Sequence, residues 1–239
     1  MKKPYALALV PLILAACTPS GPSGATASAK TLPPAKIESG KEAELMPLAK
    51  GNRWTYSYEQ TIQNPDSSTR TDQKEMEWTV LDSRPVNGGT RATIEVRSEG
   101  KAVDRQVWHV DKTGIYQVSI SKLNVPYEPM LPVLRFPLDA NRSFKWKGTG
   151  IQPVGVRGSM SLSGQTLDSQ EVDTEVGRFS AIPVKTKTEF PVQKLTGVAS
   201  NTAWFKPGLG LVRYRSEAGV GQLIGVTVLR LKSTNLKTQ

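Results

Sequence analysis

From about Met46 to the end of the chain, hydrophobic and polar residues alternate with a period of two, and no stretch sustains a helical period. Successive side chains of an extended backbone point to opposite faces, so this alternation predicts strands. Trp54, Tyr56 and Tyr58 share one face, with Arg53, Thr55 and Ser57 opposite. Met76, Trp78 and Val80 repeat the pattern, as do Ala92, Ile94 and Val96; Trp108 pairs with Val110, and Tyr116 with Val118 and Ile120. Further strands are predicted over 143–148, 154–162, 165–174, 179–190, 198–205, 211–217 and 223–232. Turn chemistry separates most of them, at Glu99-Gly100, Val176-Gly177 and Pro207-Gly208. Short strands joined by short turns predict an all-β fold. The expected form is an antiparallel meander making a strongly curved sheet or partly open barrel.

The pattern also repeats at longer range. Pro47-Leu48 precedes Trp54 and Tyr56 at the same intervals by which Pro137-Leu138 precedes Phe144 and Trp146. Trp108 precedes Gly114-Ile115 as Trp204 precedes Gly210-Leu211. Two tandem β-repeats, 47–121 and 137–232, are therefore an expectation. Between them, 122–138 carries Pro126, Pro129, Pro132 and Pro137. Proline lacks the N–H that helices and central strands need, so this stretch reads as a crossover covering an open end of the sheet, or as a lid.

The chain begins differently. Met1-Lys2-Lys3 is basic, residues 4–16 are almost wholly apolar, and Leu14-Ala15-Ala16-Cys17 closes the run with the only cysteine. This is the layout of an export signal, and it is too short to span a bilayer, which takes about 20 residues. Leu-Ala-Ala-Cys resembles the bacterial lipobox. That resemblance implies a signal peptide at 1–16, cleavage before Cys17, and acylation of Cys17 by diacylglycerol and a further chain such as palmitate. Thr18 after the cysteine favours the outer membrane if the cell has two. Residues 17–45 are rich in Pro, Ser, Gly, Ala and Thr, too poor in apolar surface to offset chain entropy, and read as a flexible tether, with a weak helical tendency over 39–45. The β-domain is then 46–239.

Several phrases combine into a second resemblance. Pro47, Leu48, Gly51, Trp54 and Tyr56 form an opening; Val172, Thr174, Gly177, Phe179 and Ala181 form a hairpin; Trp204, Phe205, Pro207, Gly208, Gly210, Leu211 and Val212 form a closing hairpin. In this order they are similar to an uncharacterised family of bacterial lipoproteins. The β-rich form is by analogy similar to half-barrel lipoprotein carriers, which hold acyl chains against a concave apolar face.

Charge and reactive residues narrow the function. Loss of residues 1–16 removes Lys2 and Lys3, and the formal charge falls from +10 to +8. A basic surface outside the cytosol suits anionic lipid, cell-wall polymer or an acidic envelope protein, not nucleic acid. Lys145 and Lys147, Lys185 and Lys187, and Arg213 and Arg215 alternate on strands and are expected on an outer face. His109 is the only histidine; it shares a strand face with Asp111, but no Gly-x-Ser-x-Gly elbow accompanies it. One histidine and one acylated cysteine do not make a zinc site. No loop has the ordered acidic spacing for calcium, and none has the glycine pattern for phosphate. Asp72, Glu75, Glu77 and Asp82 are the carboxylates on hand for glycoside hydrolysis, though alternation reads them as solvated charges. The expectation is no catalytic residue, metal or cofactor.

The leading functional expectation is a non-catalytic structural or interaction module, held at the cell envelope by membrane insertion of acylated Cys17. The alternative is a carrier or sensor for a lipid or other apolar ligand, with Trp54, Tyr56, Trp78, Trp146 and Trp204 as the contacting aromatics. An envelope hydrolase is the distant third. A carrier needs a cavity of roughly a few hundred Å³ with few charges. An interaction module needs a filled core and an exposed patch.

Overall fold

A computed structural model describes residues 32–38, 40–86, 88–121, 124–139 and 142–237. The leader, Cys17 and the first part of the expected tether lie outside the described residues. The strands are β1 (Arg53–Gln63), β2 (Thr69–Val86), β3 (Gly89–Ser98), β4 (Lys101–Asp111), β5 (Gly114–Ile120), β6 (Val125–Arg135), β7 (Ser143–Ile151), β8 (Arg157–Thr166), β9 (Gln170–Thr174), β10 (Gly177–Val192), β11 (Leu195–Lys206), β12 (Gly210–Val220) and β13 (Leu223–Thr234). Each strand pairs antiparallel with the next along the chain, except that β8 pairs with β10; β13 returns to pair with β1. Twelve strands thus close into a barrel, and β9 is an extra strand paired to the start of β10. Closure of β13 onto β1 removes the free edges that an open meander would expose to aggregation, and leaves the β6–β7 seam as the thinly paired place in the wall.

The two halves keep the same order. β1 to β6 run as a meander, and β7 to β13 run as another, with β9 inserted. The matched openings fall on β1 and β7, and the matched tryptophans on β4 and β11. The likeness stops at side-chain direction. Trp108 packs among buried residues within the barrel, whereas Trp204 lies beside Arg213, whose guanidinium sits 5.3 Å from its ring centre. Ala199, Asn201, Ala203 and Phe205 keep the inward parity of β11, so Trp204 falls on the outer face; the register shift beside it adds Val212 on β12.

The proline-rich stretch differs from the expected crossover or lid: Val125–Arg135 is a wall strand, β6. The ladder there is sparse enough to accept Pro126, Pro129 and Pro132. Pairing with β5 shifts register twice, and pairing with β7 consists of one residue pair, Glu128 with Thr149. Side chains hold this seam instead. Trp146 donates its indole N–H to the Pro129 carbonyl at 3.1 Å, and the Tyr127 ring lies flush on Gly150, where a Cβ would clash.

One end of the barrel is closed. Leu45, Met46 and Leu48 are buried there beside a short 3-10 turn, Glu42–Leu45. The Glu44 carbonyl accepts from Gly208 N–H at 2.9 Å. Trp54 and Tyr56 rise from the start of β1 and donate to the carbonyls of Leu209 and Leu211, at 2.6 and 2.8 Å. The β9–β10 hairpin folds over the same end with Val172, Phe179 and Ala181 buried. The segment from Leu32 also lies here: Ala35 N–H donates to Ser169 and Ser180 hydroxyls at 2.8 and 2.7 Å, and Ala35 and Ile37 pack on the core. Packing therefore reaches back into the stretch read as a tether, because Ala35, Ile37 and Leu45 supply apolar surface at the places where it meets the barrel floor.

Candidate ligand-binding cavity

Strand alternation forces one side chain in two into the barrel. Small barrels of about eight strands fill with those side chains, while 16 to 18 strands leave a channel. Twelve leave a cavity of about 740 Å³, within the roughly 300–1,000 Å³ usual for small-molecule sites. Its base is Trp78, Trp108, Phe205 and Leu211, resting on the packed floor, and its upper end is bordered by Ile62, Ile120, Val154, Val220 and Leu223.

The strand registers arrange the wall in layers. Gln60 of β1 stands beside Thr227 of β13, Thr227 beside Ser216 of β12, Ser216 beside Asn201 of β11, and Asn201 beside Thr186 of β10. All five line the cavity, making an uncharged polar girdle across five adjacent strands. The layer towards the floor is Tyr58, Leu229, Tyr214, Ala203 and Val184; the layer towards the mouth is Ile62, Gly225, Ala218, Ala199 and Thr188. Mainly apolar surface, with the Tyr214 and Thr188 hydroxyls as exceptions, thus brackets a belt of hydrogen-bonding groups. Asn201 donates to Thr186 at 3.2 Å and accepts from the Tyr214 hydroxyl at 3.1 Å, while Gln60 donates weakly to Thr227 at 3.5 Å. Across the lumen, the Gln106 carbonyl accepts from Trp108 at 3.0 Å and from Gln117 at 3.5 Å.

Among the described residues, no charged side chain lines this space. Asp72 and Lys74 share the face of Met76 on β2, in register with Gln60 and Tyr58, and pair with each other at 3.0 Å; Lys74 lies 4.9 Å from the centre of the Tyr58 ring. Burial raises the phenol pKa values of Tyr58, Tyr127 and Tyr214 above the ordinary tyrosine value; for Tyr214 the Ser216 hydroxyl partly offsets that rise. These phenols are neutral hydrogen-bonding groups at neutral pH.

The rim beyond the cavity is apolar. Val154 and Val156 sit in the β7–β8 turn, Leu195 opens β11, and Leu223 and Ile224 open β13. All five are exposed, Val156 at 54% and Leu195 at 55%.

Of the aromatics expected to contact ligand, Trp78 lines the cavity. Trp54 and Tyr56 lie in the packed floor. Trp146 is buried beside the cavity wall, clustered with Tyr127, Met160, Leu162 and Phe190, the first three of which line the cavity, and Trp204 sits against Arg213 and donates to Gln170 at 3.2 Å. The girdle residues escaped sequence reading because Gln, Asn, Ser and Thr at alternate positions look like a solvent face. The available signal was parity: Gln60 and Ile62 continue the face set by Trp54, Tyr56 and Tyr58.

His109 lies outside the cavity lining, yet is 3% exposed, covered by Tyr116 and Arg91 and bonded to Asp111 at 3.2 Å. Asp111 is tied down by the Thr113 hydroxyl and backbone; these bonds hold its pKa below the usual value although burial opposes them. The four carboxylates on β2 do not converge: Asp72 pairs with Lys74, Glu75 with Lys232, Glu77 with Arg53, and Asp82 is exposed.

No family model and no curated protein matches the chain. Two solved structures resemble it. A candidate exported protein with a YmcC-like fold from Bacteroides fragilis aligns over 77% of this chain and 97% of its own, with 16% identity and a TM-score of 0.42. A candidate lipoprotein from Parabacteroides distasonis aligns over 80% of this chain and 98% of its own, with 15% identity and a TM-score of 0.45. At these scores the architecture rests on the chain's own strand pairings.

Proposed function

We propose that this protein is a lipid-anchored, non-catalytic carrier or sensor of the bacterial cell envelope that holds a small ligand inside its barrel. The observation that carries the reading is the 740 Å³ cavity with its uncharged lining. A filled core was the mark of a purely structural module, and the upper lumen is not filled. The leader and Cys17 support export and acylation. Leu32 meets the barrel at its closed end through Glu171 of β9, so the expected tether joins on the side opposite the mouth.

The test is binding of a neutral, environment-sensitive naphthylamine dye to the chain from residue 17 carrying Cys17→Ser, which keeps every described residue. Ala203→Trp places an indole in the lumen and should weaken dye binding at least tenfold. Lys145→Glu with Lys187→Glu changes the outer wall and should leave it unchanged. Equal binding by the Ala203→Trp chain would place the dye elsewhere and remove the reading.

A second reading has its own observation. Lys145 and Lys147 on β7, Lys185 and Lys187 on β10, and Arg213 and Arg215 on β12 alternate with lumen residues, with Ser163, Ser200 and Thr202 between them in register. Lys187 and Arg215 are paired with Glu189 and Glu217. Such a wall suits an anionic envelope polymer, and that contact would weaken steeply with salt.

A further inference from the structure

This inference deepens the cavity reading and rests on it. We propose that the occupant is an uncharged amphiphile: an apolar chain or ring system bearing a neutral ester, amide or hydroxyl group, held with that group at the polar girdle.

Three observations converge. The girdle Gln60–Thr227–Ser216–Asn201–Thr186 is continuous by register and is flanked in the same registers by layers that are mainly apolar, with Tyr58 and Tyr214 on the floor side and Thr188 on the mouth side as the hydroxyl-bearing members. A wholly apolar ligand would strip water from these groups and return no hydrogen bond, which is unfavourable at each. A charged ligand fares worse. No charged side chain among the described lining residues could pair with it, and the nearby Asp72 and Lys74 already neutralise each other. An anion drawn into this lumen would be desolvated without a partner, and a cation would meet, besides the paired Asp72, Asp104 on the Gln106 face of β4, whose carboxylate already accepts from Gln106 at 3.2 Å and from the Arg105 N–H at 2.8 Å. The third observation is open hydrogen-bonding capacity. The Gln60 and Gln117 carboxamide groups each donate one long bond of 3.5 Å, and their carbonyl oxygens accept from no protein donor among the described residues. They stand on β1 and β5, four strands apart around the cavity wall, suited to the donors and acceptors of a glyceride, an amide or a sterol-like alcohol.

The experiment compares three probes of one chain length on the same Cys17→Ser chain: monododecanoylglycerol, dodecanoate and dodecylamine, followed by calorimetry and by tryptophan emission. At pH 7 the glyceride should bind at least tenfold more tightly than either ion. Dodecanoate should gain affinity as the pH falls through the carboxyl range, about 4 to 5, because its neutral form is the one accepted. Gln60→Leu, and independently the near-isosteric Thr227→Val, should each weaken the glyceride several-fold while the neutral dye binds as before. Dodecanoate or dodecylamine binding as tightly as the glyceride, or glyceride affinity unmoved by both substitutions, would overturn the inference and leave the cavity reading intact. Dye bound with no glyceride bound would do the same. Loss of both dye and glyceride in the unsubstituted chain would bring down the cavity reading itself.

Discussion

The two ends of this barrel are built from the same alternating strands and do opposite things. At the closed end the inward positions are Trp54, Tyr56, Val80, Ile94 and Leu231, all nearly or wholly inaccessible, and the polar atoms of Trp54 and Tyr56 are spent on the carbonyls of Leu209 and Leu211. Towards the mouth the inward positions are Gln60, Thr186, Asn201, Ser216 and Thr227, which enclose space. The strand scaffold is common to both. The change from large apolar to polar side chains along β1 and β10 to β13 decides that one end packs solid while the other encloses space.

The largest effect expected from that contrast is at the floor. Trp54→Ala removes a fully buried indole and its hydrogen bond, and should cost about 3–5 kcal/mol in urea unfolding of the Cys17→Ser chain. A loss under about 1 kcal/mol would show that the floor does not hold the fold. Alkaline unfolding comes next. Burial raises the Tyr56 pKa far above the ordinary value near 10. The unfolded chain loses its proton first, so stability is intact below about pH 10 and falls as the pH rises towards the folded value. One such tyrosine gives a slope of about 1.4 kcal/mol per pH unit. Tyr127 and Tyr214 act in the same direction. Tyr56→Phe should cost about 1 kcal/mol at neutral pH through the lost bond to Leu211 and should flatten the alkaline slope. An unchanged slope would mean the phenol is not held neutral. The smallest effect is at the rim: Leu195→Asn should change stability by no more than about 0.5 kcal/mol, since its side chain is already in water. A loss comparable to that of Trp54→Ala would erase the distinction between the ends.

The same contrast explains what could be read from the chain. The closed end was legible. Its phrases (Pro47 to Tyr56, Val172 to Ile182, Trp204 to Val212) all lie at or beside the floor, where packed aromatics and tight turns demand particular residues. Gly208 and Gly210 both adopt positive φ there, at 79° and 86°, so glycine is required rather than tolerated. The strand alternation and antiparallel order were legible for the same reason. The cavity was not. A polar residue facing a wet lumen has the same local environment as one facing bulk solvent, and only closure of β13 onto β1 separates the two. Closure depends on contacts some 170 residues apart, such as Tyr58 with Leu229, which no local pattern encodes. β6 was misjudged for a different reason: the rule against proline in central strands assumes a full ladder, and at this seam Trp146 and Tyr127 supply the contacts that the backbone does not.

The central claim is that the upper lumen is a binding site. Native mass spectrometry tests it most directly, on the Cys17→Ser chain exported in a bacterial host and purified without detergent, beside its Ala203→Trp counterpart. The account predicts a discrete added mass on the first chain, extractable into organic solvent and neutral in charge, and its absence or marked depletion on the second. A bare protein mass for both chains, together with no uptake of added monododecanoylglycerol, would contradict it.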